Sequence, residues 1–187
     1  MNAPASRICG VAGSLRRESY NRALLRAARE LAPEGLTIDI FEGLREIPLF
    51  NADLEAGGDP AGVAAWKEAI RSADGLLIVS PEYNGGIPGV LKNAIDWASR
   101  KGADDDAAIA GKPTALMGAT PGLLGTARAQ GHLREVLAGA GAVVMPNPKV
   151  LVMSVAARME DGQFADEKSR EFVAGLLTAF GAWIGRF

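Results

Sequence analysis

The chain has 187 residues, 48% of them hydrophobic, which is enough for one domain with a sizeable core. Twenty-two acidic side chains against 20 basic ones give a formal charge of -2, no surplus for neutralising nucleic-acid phosphates. The single cysteine, Cys9, excludes an intrachain disulfide and a cysteine-built metal site, and inside an apolar run it is expected as a buried small hydrophobe.

No stretch approaches the roughly 20 consecutive apolar residues that a bilayer span requires. The first seven residues carry no apolar core of a signal peptide, so a cytoplasmic protein with no membrane or nucleic-acid partner is expected.

Residues 8–12 are the first expected strand. Leu24, Ala27, Ala28 and Leu31 then recur at i, i+3, i+4 and i+7, a helix with one apolar face, and Pro33-Glu34-Gly35 ends it. Residues 37–41 are a short β-branched strand. Residues 42–58 form a long polar connection with no element of their own. Asp59 as N-cap and Pro60 at the first helical position open a second helix, with Val63, Trp66 and Ile70 inward.

Residues 76–79 are the third strand, and Leu91, Ala94, Ile95 and Ala98 mark a third helix with Pro88 near its start. Residues 113–117 are the fourth strand; Leu133, Val136, Leu137 and Ala140 mark the fourth helix. The fifth strand is either 142–145 or 149–153. Val173, Leu176, Leu177, Phe180 and Ile184 mark the last helix. Asp104-Asp105-Asp106 is expected as a solvated loop.

Five strands alternating with five helices, without hairpin signals, imply an α/β fold: a parallel sheet with helices on both faces. With right-handed crossovers the order 2-1-3-4-5 fits, and its strand order reverses between strands one and three. No repeat or linker divides the chain, so residues 1–187 are expected to form a single domain.

Two loops carry the chemistry, and both leave the carboxyl ends of expected buried strands at that reversal, where open α/β sheets bind ligands. The first, Gly13-Ser14-Leu15-Arg16-Arg17-Glu18-Ser19-Tyr20-Asn21, offers hydroxyls, an amide and a guanidinium beside a helix N-terminus. It has neither the Gly-Lys-Ser/Thr ending of a nucleotide P-loop nor the third glycine of a dinucleotide fingerprint. It suits one phosphate; the alternative is a polar turn in which Ser19 merely caps the helix.

The second, Pro81-Glu82-Tyr83-Asn84-Gly85-Gly86-Ile87-Pro88-Gly89, is stiffened by prolines and opened by glycines, and suits the edge of a flat heteroaromatic ring beside Tyr83. The alternative is a turn into a proline-started helix. A third glycine-rich stretch, 118–126, leaves the fourth strand, and Thr120 there is either a contact to the same ligand or part of a connector. His132, the only histidine, is placed on a helix surface or an interface. There is no Ser-His-Asp set, metal-ligand cluster or evident nucleophile, so an enzyme with this inventory must borrow its reactive group from a cofactor.

At these residues the chain closely resembles the NADPH-dependent FMN reductase family, flavodoxin-like proteins that include quinone, azo-dye and chromate reductases. The resemblance runs through residues 13–21 and 81–97, then Gly111-Lys112-Pro113 and residues 127–134, most of the chain. It implies a flavodoxin-like three-layer sandwich in which Ser14, Arg16, Ser19 and Asn21, with Tyr20 beside them, hold the FMN phosphate.

Pro81, Glu82, Tyr83 and Asn84, with Gly85, would lie along the isoalloxazine and ribityl chain, and Thr120 would be a third-loop contact. The family often has Ser or a bulkier residue where this chain has Gly85-Gly86, a departure that bears on the substrate pocket and leaves the flavin grip intact. The resemblance further implies a homodimer or homotetramer, with the helix after Pro88 at the interface and Trp97 and His132 as interface or, for Trp97, core residues.

The expected activity is ping-pong transfer from NADPH or NADH through FMN to a quinone-like or other small-molecule electron acceptor. No side chain would be obligatory as acid or base, though Tyr83 could supply a proton. The competing expectation is an electron carrier or flavin-binding protein without NAD(P)H turnover. An arginine-bearing phosphate loop and a charge of only -2 argue against a carrier with an acidic docking face.

Overall fold

In the computed structural model, residues 5–101 and 106–187 are described. Five parallel strands lie in the order β2-β1-β3-β4-β5. They are β1 (Ser6–Ala12), β2 (Leu36–Ile40), β3 (Gly75–Val79), β4 (Pro113–Ala119) and β5 (Val143–Val144). A sixth, β6 (Val150–Val152), also pairs with β4. The helices are α1 (Tyr20–Glu30), the single turn α2 (Ala52–Glu55), α3 (Ala61–Arg71), α4 (Gly89–Ala98), α5 (Ala127–Gly139) and α6 (Glu167–Ile184). This is the flavodoxin-like arrangement.

Strand pleating divides the core in two. Along β3, Leu77 and Val79 join Leu24 and Leu25 of α1 and Val173, Leu177 and Phe180 of α6 on one face. Leu76 and Ile78 face the other way, onto Trp66 and Ile70 of α3, Leu91 and Ile95 of α4, and Leu133 and Leu137 of α5. Buried on both faces, the central strands read as near-continuous apolar runs rather than as alternating ones. Cys9 lies in this core, and burial pushes its thiol up to about 12, which leaves it protonated and inert at neutral pH.

The structure departs from the sequence expectations at four places. Residues 42–58 are not featureless: a 3-10 turn, Gly43–Glu46, and α2 lie within them. Both are too short to leave a hydrophobic period. The connection is fixed to α4 by side chains instead. Asn93 Oδ1 accepts from Phe50 N–H at 2.8 Å, while Asn93 Nδ2 and the Trp97 indole N–H donate to the Pro48 carbonyl at 2.8 and 2.9 Å. Trp97, with no exposed surface in the chain, is thus a core residue.

Pro60 takes the N-cap position of α3 itself, and the Asp59 carboxylate accepts instead from Lys67 Nζ at 2.8 Å, a lysine that is 1% exposed. Both candidate fifth strands exist, as β5 and β6 on the same side of β4, separated by a proline-containing turn. A hairpin is present as well. β7 (Met159–Glu160) and β8 (Gln163–Phe164) flank Asp161-Gly162, both at positive φ, the Asp-Gly signature of a tight hairpin turn. The acidic run falls outside the described residues except for Asp106, which is exposed and pairs with Lys101 at 3.2 Å.

Candidate functional site

The loops after β1, β3 and β4 open at one edge of the sheet. Helix α1 leaves β1 toward one face and α4 leaves β3 toward the other, so a crevice forms between them. Gly13 N–H donates to the Val79 carbonyl at 2.9 Å, so the first loop starts in register with the end of β3.

In the first loop Ser14 and Ser19 are buried and Arg16 is exposed. Ser19 is the N-cap of α1: its hydroxyl accepts from Asn21 N–H at 3.2 Å. The capping expectation therefore holds, and it is compatible with anion binding, since the rest of the first turn keeps the N–H groups that helix geometry leaves unpaired. The Arg16 guanidinium lies 4.9 Å from the centroid of the Tyr20 ring, at the mouth of the loop.

Asn21 is committed elsewhere. Its Nδ2 donates to the Ala119 carbonyl and its Oδ1 accepts from the Ala119 N–H, both at 2.9 Å, in a site that is 2% exposed. The side chain clasps α1 to the end of β4, one residue before Thr120, and so fixes the first loop relative to the third.

The second loop is a two-residue hairpin. Tyr83 and Gly86 exchange backbone hydrogen bonds at 3.1 and 2.9 Å, and Asn84 and Gly85 both have positive φ (51° and 74°). Asn-Gly is the residue pair such a turn demands. The turn raises Tyr83, about half exposed, so that its hydroxyl lies 3.1 Å from Ser14 Oγ. Pro81 is buried behind it.

Glu82 turns toward α5. Its Oε2 accepts from the Arg128 and Ala129 N–H groups at 3.0 and 3.1 Å, and Oε1 from Arg128 Nε at 3.2 Å. A carboxylate at a helix N-terminus is favoured by the dipole and by charge-assisted hydrogen bonds. That leaves the Glu82 backbone, rather than its side chain, for a ring.

In the third loop Thr120 Oγ1 accepts from Gly122 N–H at 3.2 Å, and Thr120 N–H donates to the Val152 carbonyl at 3.0 Å. Gly118 permits the close approach of β3 and α5 here: a Cβ would stand 2.3 Å from the Ser80 carbonyl and 2.4 Å from Thr126 Oγ1. His132 is exposed on α5, opposite Gly86.

The structure thus brings Ser14 to Tyr83 and Arg16 to Tyr20, carries Ser19, Asn84, Gly85 and Thr120 on the three loops that leave the same strand ends, and uses Asn21 and Glu82 to hold those loops in place. Sequence reasoning gave Arg128 no role; its partner lies 46 residues away, and no spacing reports such a pair. Among the described residues no group of three or more His, Cys, Asp or Glu is placed to hold a metal, and no helix is long and apolar enough to cross a membrane.

A doubly wound sheet with a phosphate-suited loop and a ring-suited loop facing each other across the strand reversal defines a mononucleotide-binding α/β protein. The model of the NADPH-dependent FMN reductase family matches residues 6–157, and the chain belongs to that family. It is 42% identical to an NAD(P)H-dependent FMN reductase of Pseudomonas aeruginosa over 96% of both chains. It is 40% identical to a quinone reductase of Escherichia coli over 93% of both. Among solved structures, the flavoenzyme NAD(P)H:(acceptor) oxidoreductase FerB of Paracoccus denitrificans matches with a TM-score of 0.85 at 35% identity, covering 97% of this chain and 98% of that one.

The cofactor is FMN and the electron donor NAD(P)H. The residues present fit a phosphorylated flavin: buried serine hydroxyls and a helix N-terminus for the phosphate, exposed hairpin backbone and a tyrosine for the ring.

Replacing Asn21 with Ala would strand a buried N–H and a buried C=O on Ala119, at about 1–3 kcal/mol for each group left unsatisfied. A domain of this size loses about 2–4 °C of Tm per kcal/mol. Thermal unfolding of Asn21→Ala is expected to fall by several degrees, and Asn21→Asp, which retains the acceptor but sets a buried carboxylate oxygen against the Ala119 carbonyl, by at least as much. Unchanged melting would mean that the clasp does not support the fold.

Proposed function

We propose that the chain acts as one domain, a reductase that passes electrons from NAD(P)H to a quinone-like or other small oxidant. The observation that carries this reading is the 3.1 Å contact between Ser14 and Tyr83. It sets the loop suited to a phosphate directly beside the loop suited to a ring, so that a single ligand can reach both. The chemistry supplied by FMN, when bound, is hydride acceptance from the donor and electron delivery to the acceptor.

The chain's own contribution is binding and orientation. Ser14, Ser19 and the first turn of α1 hold the phosphate, with Arg16 closing over it from its seat on Tyr20. The Asn84-Gly85 turn presents hairpin backbone to the ring edge without a charged side chain. Thr120 bounds the site from the third loop. The Tyr83 hydroxyl, hydrogen-bonded to Ser14 on a half-exposed side chain, is a proton-bearing group open to an incoming acceptor. The relatives named for quinone reduction support an acceptor of that class. A homodimer or homotetramer in the cytoplasm, free of nucleic acid, completes the reading.

We further propose a ping-pong order, in which donor and acceptor use the same opening in turn. Initial rates with both substrates varied are expected to give parallel double-reciprocal lines, and FMN-loaded protein is expected to bleach anaerobically on NADPH alone. Intersecting lines would overturn the ping-pong order. Failure to bleach would overturn the reductase reading in favour of an electron carrier.

Arg16 supplies the sharpest test of the phosphate assignment. Arg16→Ala is expected to weaken FMN binding about ten- to hundredfold, the effect of losing one hydrogen bond between charged groups. Riboflavin, which has no phosphate, is expected to bind the original protein poorly and to be little affected by the change. Fluorescence quenching with both flavins separates the cases: equal losses for FMN and riboflavin would remove Arg16 from the phosphate.

A further inference from the structure

The flavin rim accounts for one side of the first loop. On its other side, between α1 and the connection that follows β2, a second crevice opens, shallow and solvent-facing, with an enclosed volume of about 50 Å³. Its floor includes Leu15, Leu25 and Leu44, and three guanidinium groups, those of Arg22, Arg26 and Arg45, line it. Arg22 and Arg26 lie one turn apart on the same face of α1. Arg22 is neutralised by Glu42. Arg45 Nη2 donates to the Leu15 carbonyl at 3.3 Å, which fixes the guanidinium over the loop and leaves the remainder of its fork open. Arg26 has no carboxylate partner among the described residues and is exposed. Three cations against one carboxylate leave an uncompensated positive charge above an apolar floor, in a chain whose net charge is -2.

Such a site suits a phosphate carried by a flat apolar group: a guanidinium fork matches phosphate oxygens, and leucine side chains suit the face of a purine. Its position identifies a source. Ser14 lines this crevice while its hydroxyl touches Tyr83 on the flavin side, so the two sites stand back to back across a single residue.

We propose that this crevice takes the adenosine end of NADPH, and that Arg26, with Arg45, binds the extra ribose phosphate that distinguishes NADPH from NADH. The inference rests on NAD(P)H being the donor, and it names the residues that choose between its two forms. In NADH a neutral hydroxyl would meet the same guanidinium groups and leave their charge unmatched. The phosphate of FMN is the other anion within reach of this loop, and the test separates the two.

The test compares the FMN-loaded protein with Arg26→Ala and Arg26→Lys. In Arg26→Ala, KM for NADPH is expected to rise about ten- to hundredfold, with kcat for NADPH, kinetics with NADH and affinity for FMN unchanged. In Arg26→Lys, which keeps the charge and loses the fork, the rise is expected to be smaller. Calorimetry supplies a readout independent of turnover. Adenosine 2′,5′-bisphosphate is expected to bind the original protein more tightly than adenosine 5′-monophosphate, and Arg26→Ala to abolish that preference.

Equal losses with NADPH and NADH would overturn the proposal, as would unchanged kinetics. Weakened FMN binding would also overturn it and assign the crevice to the flavin phosphate. Should neither dinucleotide reduce the protein, the reading of NAD(P)H as donor would fall, while the bisphosphate preference would still decide whether the crevice recognises that phosphate.

Discussion

The sheet is buried on both faces, and its chain leaves β1 toward one face and β3 toward the other. Everything at the site follows from that divergence. Leu24 and Leu25 of α1 require the apolar face presented by Leu77 and Val79, while Leu91 and Ile95 of α4 require the opposite face, presented by Leu76 and Ile78. Two loops that start side by side, with Gly13 bonded to Val79, must therefore part. The gap between them is lined by backbone that no neighbouring helix covers. A parallel sheet has little freedom to avoid this, because each crossover must return over one face or the other.

A gap of that kind is a binding site only if its walls stay put, and the walls here are held by three polar contacts between distant parts of the chain. Asn21 joins α1 to the end of β4, Glu82 joins the second loop to the start of α5, and Ser14 meets Tyr83 across the opening. The contacts differ in burial and so in consequence. The Asn21 clasp is buried, and removing one partner leaves groups with no access to water, the costly direction of a hydrogen-bond change. The Ser14–Tyr83 contact is buried on the serine side and half exposed on the tyrosine side, so Tyr83 can turn out to water and let it open for a ligand. The fold thus combines a fixed frame with a rim that can yield.

Much of this was legible in the chain. The 3.6-residue period gave α1, α3, α4, α5 and α6, and the apolar runs gave the parallel strands, because burial on both faces leaves a continuous hydrophobic signature; their order followed from the crossover rule. The Ser19 cap was legible for a different reason: it is a local device whose residue type follows from backbone geometry. Asn84-Gly85 carries the same kind of local signal, yet the chain was expected to hold no hairpin. What stayed hidden was non-local or too short. Asn21 carried the signature of a phosphate ligand, and only the proximity of Ala119, 98 residues away, reveals it as a clasp. Glu82 looked like a ring contact until α5 was in place. The segment between the turns at 43–46 and 52–55 is held at Pro48 and Phe50 by Asn93 and Trp97 from another helix, and nothing within the turns themselves announces that. The Asp161-Gly162 hairpin did carry a local signal, but with only two residues in each strand it had no alternation to accompany it.

The grip of the first loop on a phosphate is the point on which the cofactor site turns, and the bound phosphate itself can report it. A phosphate monoester free in water loses its second proton with a pKa of about 6. Held by Ser14, Ser19, Arg16 and the N-terminus of α1, the FMN phosphate should remain a dianion well below that pH. Its phosphorus NMR resonance in the loaded protein should then stay fixed while pH is lowered from about 8 to about 5. A resonance that moves with the midpoint of free FMN would put the phosphate in water and contradict the grip.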